Sequence, residues 1–250
     1  MAGPANFALI EGTRPVIEAI RAARRRVHAV HLPEGDGSAA RRELETLLAE
    51  RGIARRVAER GGFVHAEADP YPEEEAEALL AAPSPRFLVA LDRVTDVGNL
   101  GSIARSAEGA GVGGLVLEHR HSPPISAGAL RASAGALEHL RVGRAPNLAR
   151  ALDLGRSEGL ALLVADAGGV PLVELPTMTL QSDLVWVFGS EDLGVRAGIR
   201  KLATAVVGIP LQGKIASLGV AAAAAYLLFR TAEARRSAVG AEFAGTAKTS

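Results

Sequence analysis

Apolar positions along the chain follow two alternating rhythms. Between Glu11 and Ala23, the residues Val16, Ile17 and Ile20 recur at helical spacing, and between Arg41 and Arg51 so do Leu44, Leu47 and Leu48. Val27 to Leu32, lying between them, is short and apolar, which predicts a strand. Arg55 to Val64 reads as a short strand followed by a turn at Gly61-Gly62. These elements predict a small α/β domain over residues 1–80. Asp69-Pro-Tyr-Pro72, an acidic run from Glu73 to Glu77, and Ala81-Ala-Pro-Ser-Pro85 then interrupt the pattern. Proline at this density breaks regular structure, so residues 81–86 are expected to form a Pro-rich linker.

From Phe87 onward the rhythm changes. Strands are predicted at Phe87 to Leu91, Gly114 to Leu117, His139 to Val142, Leu160 to Ala165, Leu184 to Phe188 and Ala205 to Ile209. Helices are predicted at Gly101 to Ala110, Ser126 to Ala136, Asn147 to Gly155, Arg196 to Leu202 and Ser217 to Glu233. Short apolar strands alternating with helices imply an α/β fold with a mostly parallel sheet covered on both faces. After Arg236 the chain becomes small and polar, so the second domain is placed at 87–236 and a flexible tail at 237–250.

Composition narrows the function. The chain has 28 basic and 28 acidic residues, so any affinity for nucleic acid must come from a local patch. Cysteine is absent, which removes disulfides, zinc–thiolate sites and thiol nucleophiles and fits a cytoplasmic protein. The N-terminus has neither a basic start nor a long apolar run, and the most apolar stretch, Val220 to Phe229, is far shorter than the roughly 20 residues needed to span a bilayer. His119 and His121 lie two apart without a third ligand nearby, so no metal site is expected; His28 and His31 read as surface or RNA-contact residues.

Ligands in open α/β sheets bind at the carboxyl ends of strands. Three loops there mix glycine with polar side chains: Asp92 to Gly101, Gly189-Ser-Glu-Asp-Leu-Gly194, and Pro210-Leu-Gln-Gly-Lys-Ile-Ala-Ser-Leu218. None is a dinucleotide or phosphate fingerprint. Gly111-Val-Gly-Gly114 sits at a helix-to-strand junction, the wrong polarity for such a site.

Taken in order, the loops carry a resemblance. Asp96-Val-Gly-Asn-Leu-Gly-Ser-Ile-Ala-Arg-Ser-Ala-Glu-Gly-Ala-Gly-Val112 resembles the first motif of the SpoU/TrmH RNA ribose 2′-O-methyltransferases. Val187-Phe-Gly-Ser-Glu-Asp-Leu-Gly194 is similar to the second, and Ile209-Pro-Leu-Gln-Gly-Lys-Ile-Ala-Ser-Leu-Gly-Val-Ala-Ala-Ala-Ala-Ala225 to the third. Leu9-Ile-Glu-Gly-Thr-Arg-Pro-Val-Ile-Glu-Ala-Ile20 resembles the ribosomal-protein-like substrate-binding domain of members acting on guanosine of 23S ribosomal RNA. The resemblance implies a trefoil-knotted (SPOUT-type) catalytic domain, S-adenosyl-L-methionine as cofactor, a homodimer and a structured RNA substrate. Ribosomal RNA is favoured. Transfer RNA, or a non-catalytic RNA-binding role on the same fold, stays open, as does an unrelated small-molecule enzyme with an open α/β sheet.

Roles follow from the matched positions. Arg105, Asn99, Glu191 and Ser217 are the expected catalytic residues; Gly189, Ser190, Glu191, Ile209, Leu211, Ser217 and Leu218 are expected around the cofactor. Asn99 also reads as a helix cap or turn residue, and Ser217 as the cap of the last helix. Arginine is a poor base, its pKa exceeding ~12, so Arg105 is expected to hold ribose and phosphate. Arg21, Arg24, Arg25 and Arg26, with Arg55, Arg56 and Arg60, form either a solvated helix end or an RNA track that Arg105 would extend. The sequence departs from the family at Gly219, where asparagine is usual, and at Asp192, where glycine is usual. A polar contact from residue 219 is therefore missing, and Gly219→Asn is expected to raise activity if that contact limits the enzyme.

Overall fold

The structure, a computed structural model, describes residues 7–34, 37–58, 62–215 and 217–246, with side chains as far as Ser237. The chain divides into two compact units. One comprises Met1–Glu73, Asp96–Arg105 and Pro123–Leu140; the other comprises Glu74–Thr95, Ser106–Ser122 and Arg141–Ser250. The division falls at Glu73/Glu74 instead of the expected linker, and two later segments belong with the N-terminal one. Proximity in the folded chain, which a linear reading does not see, assigns them there.

In the first unit, strands β1 (Ala8–Glu11), β2 (Val27–Leu32), β3 (Ala54–Val57) and β4 (His65–Ala68) form a sheet in the order β1-β4-β2-β3. Only β2 and β3 pair in parallel. Helix α1 (Thr13–Ala22) buries Val16, Ile17 and Ile20, and α2 (Ala39–Arg51) buries Leu44 and Leu48, as their spacing predicts. Ser38 caps α2 through its side chain, which accepts the N–H of Arg41, and Gly52 ends it in the left-handed region.

The arginine cluster of this unit, which its sequence left as either a solvated helix end or an RNA track, is in part engaged by the protein itself. Arg25 is buried against the buried Glu138: its Nε donates to Oε2 at 3.1 Å, and its Nη1 donates to the Asp69 carbonyl at 3.0 Å. Arg24 donates to the Tyr71 hydroxyl at 3.1 Å and to the Leu140 carbonyl. Arg21 pairs with Glu18 and Glu43. A guanidinium committed to a buried carboxylate is not available to phosphate, so Arg25 is removed from the expected RNA contacts; Arg24 is part-buried against Tyr71 and Leu140, while Arg21 stays exposed in its surface ion pairs. Arg26 is exposed. Arg55 and Arg56 pair with Glu45 and Glu67, and Arg60 lies outside the described residues.

The second unit is built on a seven-stranded sheet. Its strands are β5 (Glu73–Glu75), β6 (Phe87–Asp92), β7 (Gly114–Glu118), β8 (Arg141–Ala145), β9 (Ala161–Pro171), β10 (Leu184–Gly189) and β11 (Ala205–Gly208), in the order β11-β9-β10-β6-β7-β8-β5. The pairings from β11 to β8 are all parallel. One face packs Leu88, Ala90, Val116, Val164, Val185 and Val187 into a core shared with α3 (Ala76–Leu80), α6 (Leu148–Ser157) and α8 (Ala197–Arg200). On the other face Trp186 is buried and donates from Nε1 to Thr231 Oγ1 at 3.0 Å, which ties β10 to α9 (Val220–Thr246). The remaining helices are α4 (Val97–Gly109), α5 (Ala127–Ala132) and α7 (Thr177–Gln181).

Three expectations change here. The acidic run is structured: Ala76, Leu79 and Leu80 stand at helical spacing and are fully buried in α3. Residues 81–86 are pinned, because Arg86 donates to the carbonyls of Leu80 and Glu158, at 2.7 Å each, and to Asp183 at 2.9 Å. Burial alone would raise the Asp183 carboxyl, but the Ser84 hydroxyl and the Arg86 N–H and guanidinium hold it below the ordinary carboxylate value. Finally, α9 continues to Thr246, so the expected tail is helical over most of its length; alanine-rich sequence there favours helix, and residues 247–250 lie outside the described residues. No helix among the described residues is long and apolar enough to cross a membrane.

The Arg25–Glu138 pair yields a stability prediction. Glu138→Ala strands a buried guanidinium and should cost about 3–5 kcal/mol, read from urea unfolding followed by circular dichroism. Arg26→Ala, at an exposed site, should stay within about 0.5 kcal/mol of wild type. A Glu138→Ala loss below about 1 kcal/mol would show that the pair is solvated.

Candidate active site

The parallel sheet places the carboxyl ends of β9, β10 and β11 side by side, and the loops leaving them enclose a cavity of about 560 Å³. Its walls include Ala165, Asp166 and Ala167 from β9, the loop from Gly189 to Gly194 after β10, and Ile209, Pro210, Leu211, Ile215, Ser217 and Leu218 after β11. Phe188, Val207, Val220, Ala223 and Leu227 close the apolar side. This volume is in the range of small-molecule and cofactor sites, and the mixture of apolar walls with a few polar groups suits a ligand with one flat apolar part and one charged part.

The loop after β10 folds back upon its own strand. The N–H of Gly194 donates to the Ser190 carbonyl at 2.9 Å, and that of Leu193 to the Ser190 hydroxyl at 3.3 Å. Gly194 reverses the chain at φ 62°. A Cβ on Gly189 would stand 2.1 Å from the carbonyl carbon of Gly194, so backbone lies directly on backbone and only glycine fits. Strand β9 is interrupted where it passes the cavity: its register with β11 shifts between Val206 and Val207, and residues between Val164 and Val170 leave the ladder.

An ionic network anchors the far end of this loop. The backbone N–H of Arg196 donates to Asp92 Oδ2 at 2.7 Å, its Nε donates to Oδ1 at 2.7 Å, and its Nη2 donates to Glu118 Oε2 at 3.1 Å. Asp92 and Glu118 are buried at the ends of β6 and β7. Glu118 also accepts the Leu148 N–H at the start of α6, at 3.2 Å. At the near end, Glu191 Oε1 accepts the N–H of Val220, the first residue of α9, at 3.1 Å.

All the residues expected around a cofactor, namely Gly189, Ser190, Glu191, Ile209, Leu211, Ser217 and Leu218, line this one cavity. Glu191 and Ser217 of the expected catalytic set are among them. Arg105 and Asn99 lie on α4 and are not part of its lining. Asp96, not Asn99, caps α4: its carboxylate accepts the Asn99 N–H at 2.7 Å, so Asn99 stands in the first turn. Ser217 is likewise not a cap. The last helix begins at Val220, and the carbonyl that accepts its first helical bonds belongs to Gly219. Asp192 is exposed and away from the lining. Asp166 and its neighbours were not foreseen; the pair Gly168-Gly169 immediately after an apolar strand was the available signal. Among the described residues no three His, Asp or Glu side chains converge as a metal site.

Comparison with known proteins gives consistent results. A family model described as "SpoU rRNA Methylase family" matches residues 86–229. A protein of Mycolicibacterium vanbaalenii called an uncharacterized tRNA/rRNA methyltransferase is 34% identical over 92% of this chain and 77% of its own length. One of Mycobacterium avium with the same description is 37% identical over 66% of this chain, a match spanning only 53% of that protein. Among solved structures, the SpoU methyltransferase AviRb of Streptomyces viridochromogenes, in complex with AdoMet, superimposes with a TM-score of 0.78 at 23% identity, covering 93% of this chain and 92% of its own. A second structure, called an RNA 2′-O ribose methyltransferase, gives a TM-score of 0.73 at 24% identity over 91% and 88% of the two chains. Both structural likenesses are likenesses of fold.

The loop geometry predicts that Gly189→Ala abolishes ligand binding by the cavity, since the added methyl must displace backbone. Gly213→Ala, where a Cβ meets nothing within 4 Å, should leave binding within about twofold. Isothermal calorimetry with S-adenosylmethionine compares them, and equal affinities would refute the close-approach argument.

Proposed function

The chain belongs to the SpoU family of RNA methyltransferases, and from that premise we propose that it transfers the methyl group of S-adenosylmethionine to a ribose 2′-hydroxyl of structured RNA, with ribosomal RNA as its substrate. The observation carrying this reading is the single cavity lined by both the second and the third family motif. The residues present fit the cofactor. Phe188, Ile209, Leu211 and Leu218 offer apolar walls for a flat base, while loop backbone and Glu191 offer polar groups for the amino-acid end. When bound, S-adenosylmethionine supplies an electrophilic methyl group on a sulfonium.

The chain's own residues then have three tasks. The loops after β10 and β11 orient the donor, held by the Arg196 network and by the glycine contacts described above. Arg105, exposed on α4, grips the ribose and its phosphate with its planar donor fork. Because a guanidinium stays charged, Arg105 would position the 2′-hydroxyl without taking its proton, which would pass to a phosphate oxygen or to water as the hydroxyl received the methyl group. We further propose a cytoplasmic homodimer completing the site; Tyr226 and Phe229, exposed on α9, supply apolar surface for the pairing. Preference for ribosomal RNA rests on the resemblance of the N-terminal segment, where Arg26 remains accessible for phosphate contact.

Arg105→Ala should lower methyl transfer at least about a hundredfold while leaving cofactor affinity within about twofold, since its contribution arises at the transition state. Transfer of radiolabelled methyl to ribosomal and to transfer RNA, with ribose modification read by resistance to alkali, tests this. Wild-type turnover in Arg105→Ala would remove it from the catalytic centre. Labelling of transfer RNA alone would reverse the substrate, and cofactor binding without transfer to any RNA would favour a binding protein on the same fold.

A further inference from the structure

The carboxyl edge of the second unit's sheet continues past the cavity. Loops from β9, β10 and β11 enclose the cavity, and β6, β7 and β8 extend the same edge in the strand order. Along that extension two neighbouring strands leave the sheet in the same way. Arg93 directly follows β6 at φ 59°, and His121, in the loop after β7, stands at φ 66°. Glycine adopts such left-handed conformations freely, whereas a Cβ resists them. Backbone strain of this kind gathers where a side chain serves function instead of stability.

The acids of this edge are neutralised from within. Asp92 and Glu118, the last residues of β6 and β7, are buried and share the guanidinium of Arg196. Arg144 donates to the Glu118 carbonyl at 3.3 Å. The cations beside them have no such commitments. His119, Arg120 and His121 are consecutive and exposed, and their side chains make no hydrogen bond or ion pair among the described residues. Arg93 is partly exposed; its Nε makes no hydrogen bond, and Asp92 Oδ1 stands 3.9 Å from it.

We propose that Arg93 and the loop His119–His121 form a phosphate-binding surface that takes the RNA backbone beside the methylated nucleotide. The surface is cationic, and the carboxylates beneath it are already paired, so it attracts an incoming anion. An uncommitted guanidinium meets a phosphate with two parallel hydrogen bonds. Position fits as well. Neighbouring strands lie about 4.8 Å apart, so the exits of β6 and β7 stand about 5 and 10 Å along the edge from β10, whose loop lines the cavity. An RNA strand whose ribose enters the cavity reaches them with its adjoining phosphates. A second copy of this chain fits less well, because a two-fold interface would set the patch against itself, cation against cation.

The surface rests on the function proposed above, and the full chain allows the two to be tested apart. Purified large-subunit ribosomal RNA serves as the binding probe over a salt series, with S-adenosylmethionine calorimetry and melting temperature measured alongside. Arg120→Ala should weaken RNA binding about fivefold and flatten the slope of log affinity against log salt by about one. Its Tm should stay within about 2 °C and its cofactor affinity within about twofold. Arg120→Lys, which keeps the charge, should keep the slope. Arg93→Gly and His121→Gly relieve the left-handed strain, so each should hold or raise Tm while weakening RNA binding. A purely structural role predicts the opposite, a fall in Tm with the salt slope unchanged, and that result would overturn the surface. So would wild-type RNA affinity in all three neutral variants, which would leave the proposed function standing. Loop-dependent RNA binding by a wild type that methylates no RNA would keep the surface and refute the function. No RNA binding by wild type would overturn both. A change from dimer to monomer in Arg120→Ala, read by light scattering, would assign the patch to a second copy and overturn it for RNA.

Discussion

Backbone lying on backbone at one end of the parallel sheet is the constraint on which the candidate site depends. At Gly189 there is no space for a Cβ beside Gly194, and at Gly208 a Cβ would stand 2.7 Å from the Gly169 carbonyl. These approaches let three neighbouring strands release their loops over a common cavity while the sheet below stays paired. Parallel order does the rest. The strands β9, β10 and β11 are adjacent in space, so loops far apart in sequence meet without a second domain having to bring them together. A parallel sheet buried on both faces also makes this platform rigid, since Val185, Trp186, Val187 and Phe188 are all inaccessible to solvent.

Loops so closely folded need fixed ends. Buried carboxylates are costly unless they are paired, and Asp92 and Glu118 are paired by the same guanidinium, that of Arg196. The pairing converts an electrostatic necessity into geometry: with Asp92 accepting both the backbone N–H and Nε of Arg196, the loop after β10 has little freedom where it re-enters α8. Its other side is fixed by Glu191 at the start of α9. The cavity wall is thus suspended between two charge-assisted contacts, one to the sheet and one to the helix.

Much of this was legible in the sequence, for identifiable reasons. Strands β6, β7, β9 and β10 announce themselves because buried parallel strands are nearly continuous in Val, Ile and Leu, whereas β8, Arg141–Ala145, carries two arginines and starts two residues later than the extended segment expected from His139. The cavity residues were legible because glycine-rich loops after such strands are chemically unusual. What escaped was local structure formed against its own composition. Ala8–Glu11 and His65–Ala68 are short and rich in alanine, glutamate or histidine, and become strands by pairing, β1 on β4 and β4 on β2. The run Glu73 to Glu77 looked like a solvated joint, although Ala76, Leu79 and Leu80 carried a helical spacing within it. The extension of the last helix to Thr246 was hidden by residues taken for a tail.

The arginine cluster shows why charge counted along a chain is a poor guide to charge available to a partner. Arg24 and Arg25 are spent on Glu138, Tyr71 and the Leu140 carbonyl, so the densest basic segment presents to solvent Arg21, which also pairs with Glu18 and Glu43, and Arg26. The equal numbers of basic and acidic residues give many of the chain's cations a carboxylate to pair with. Under the function proposed above, affinity for RNA would draw on shape, hydrogen bonds and exposed guanidinium groups such as Arg21, Arg26 and Arg105. Under that same proposal, discrimination between one folded RNA and another would fall to how well its ribose and neighbouring groups fit the fixed loops.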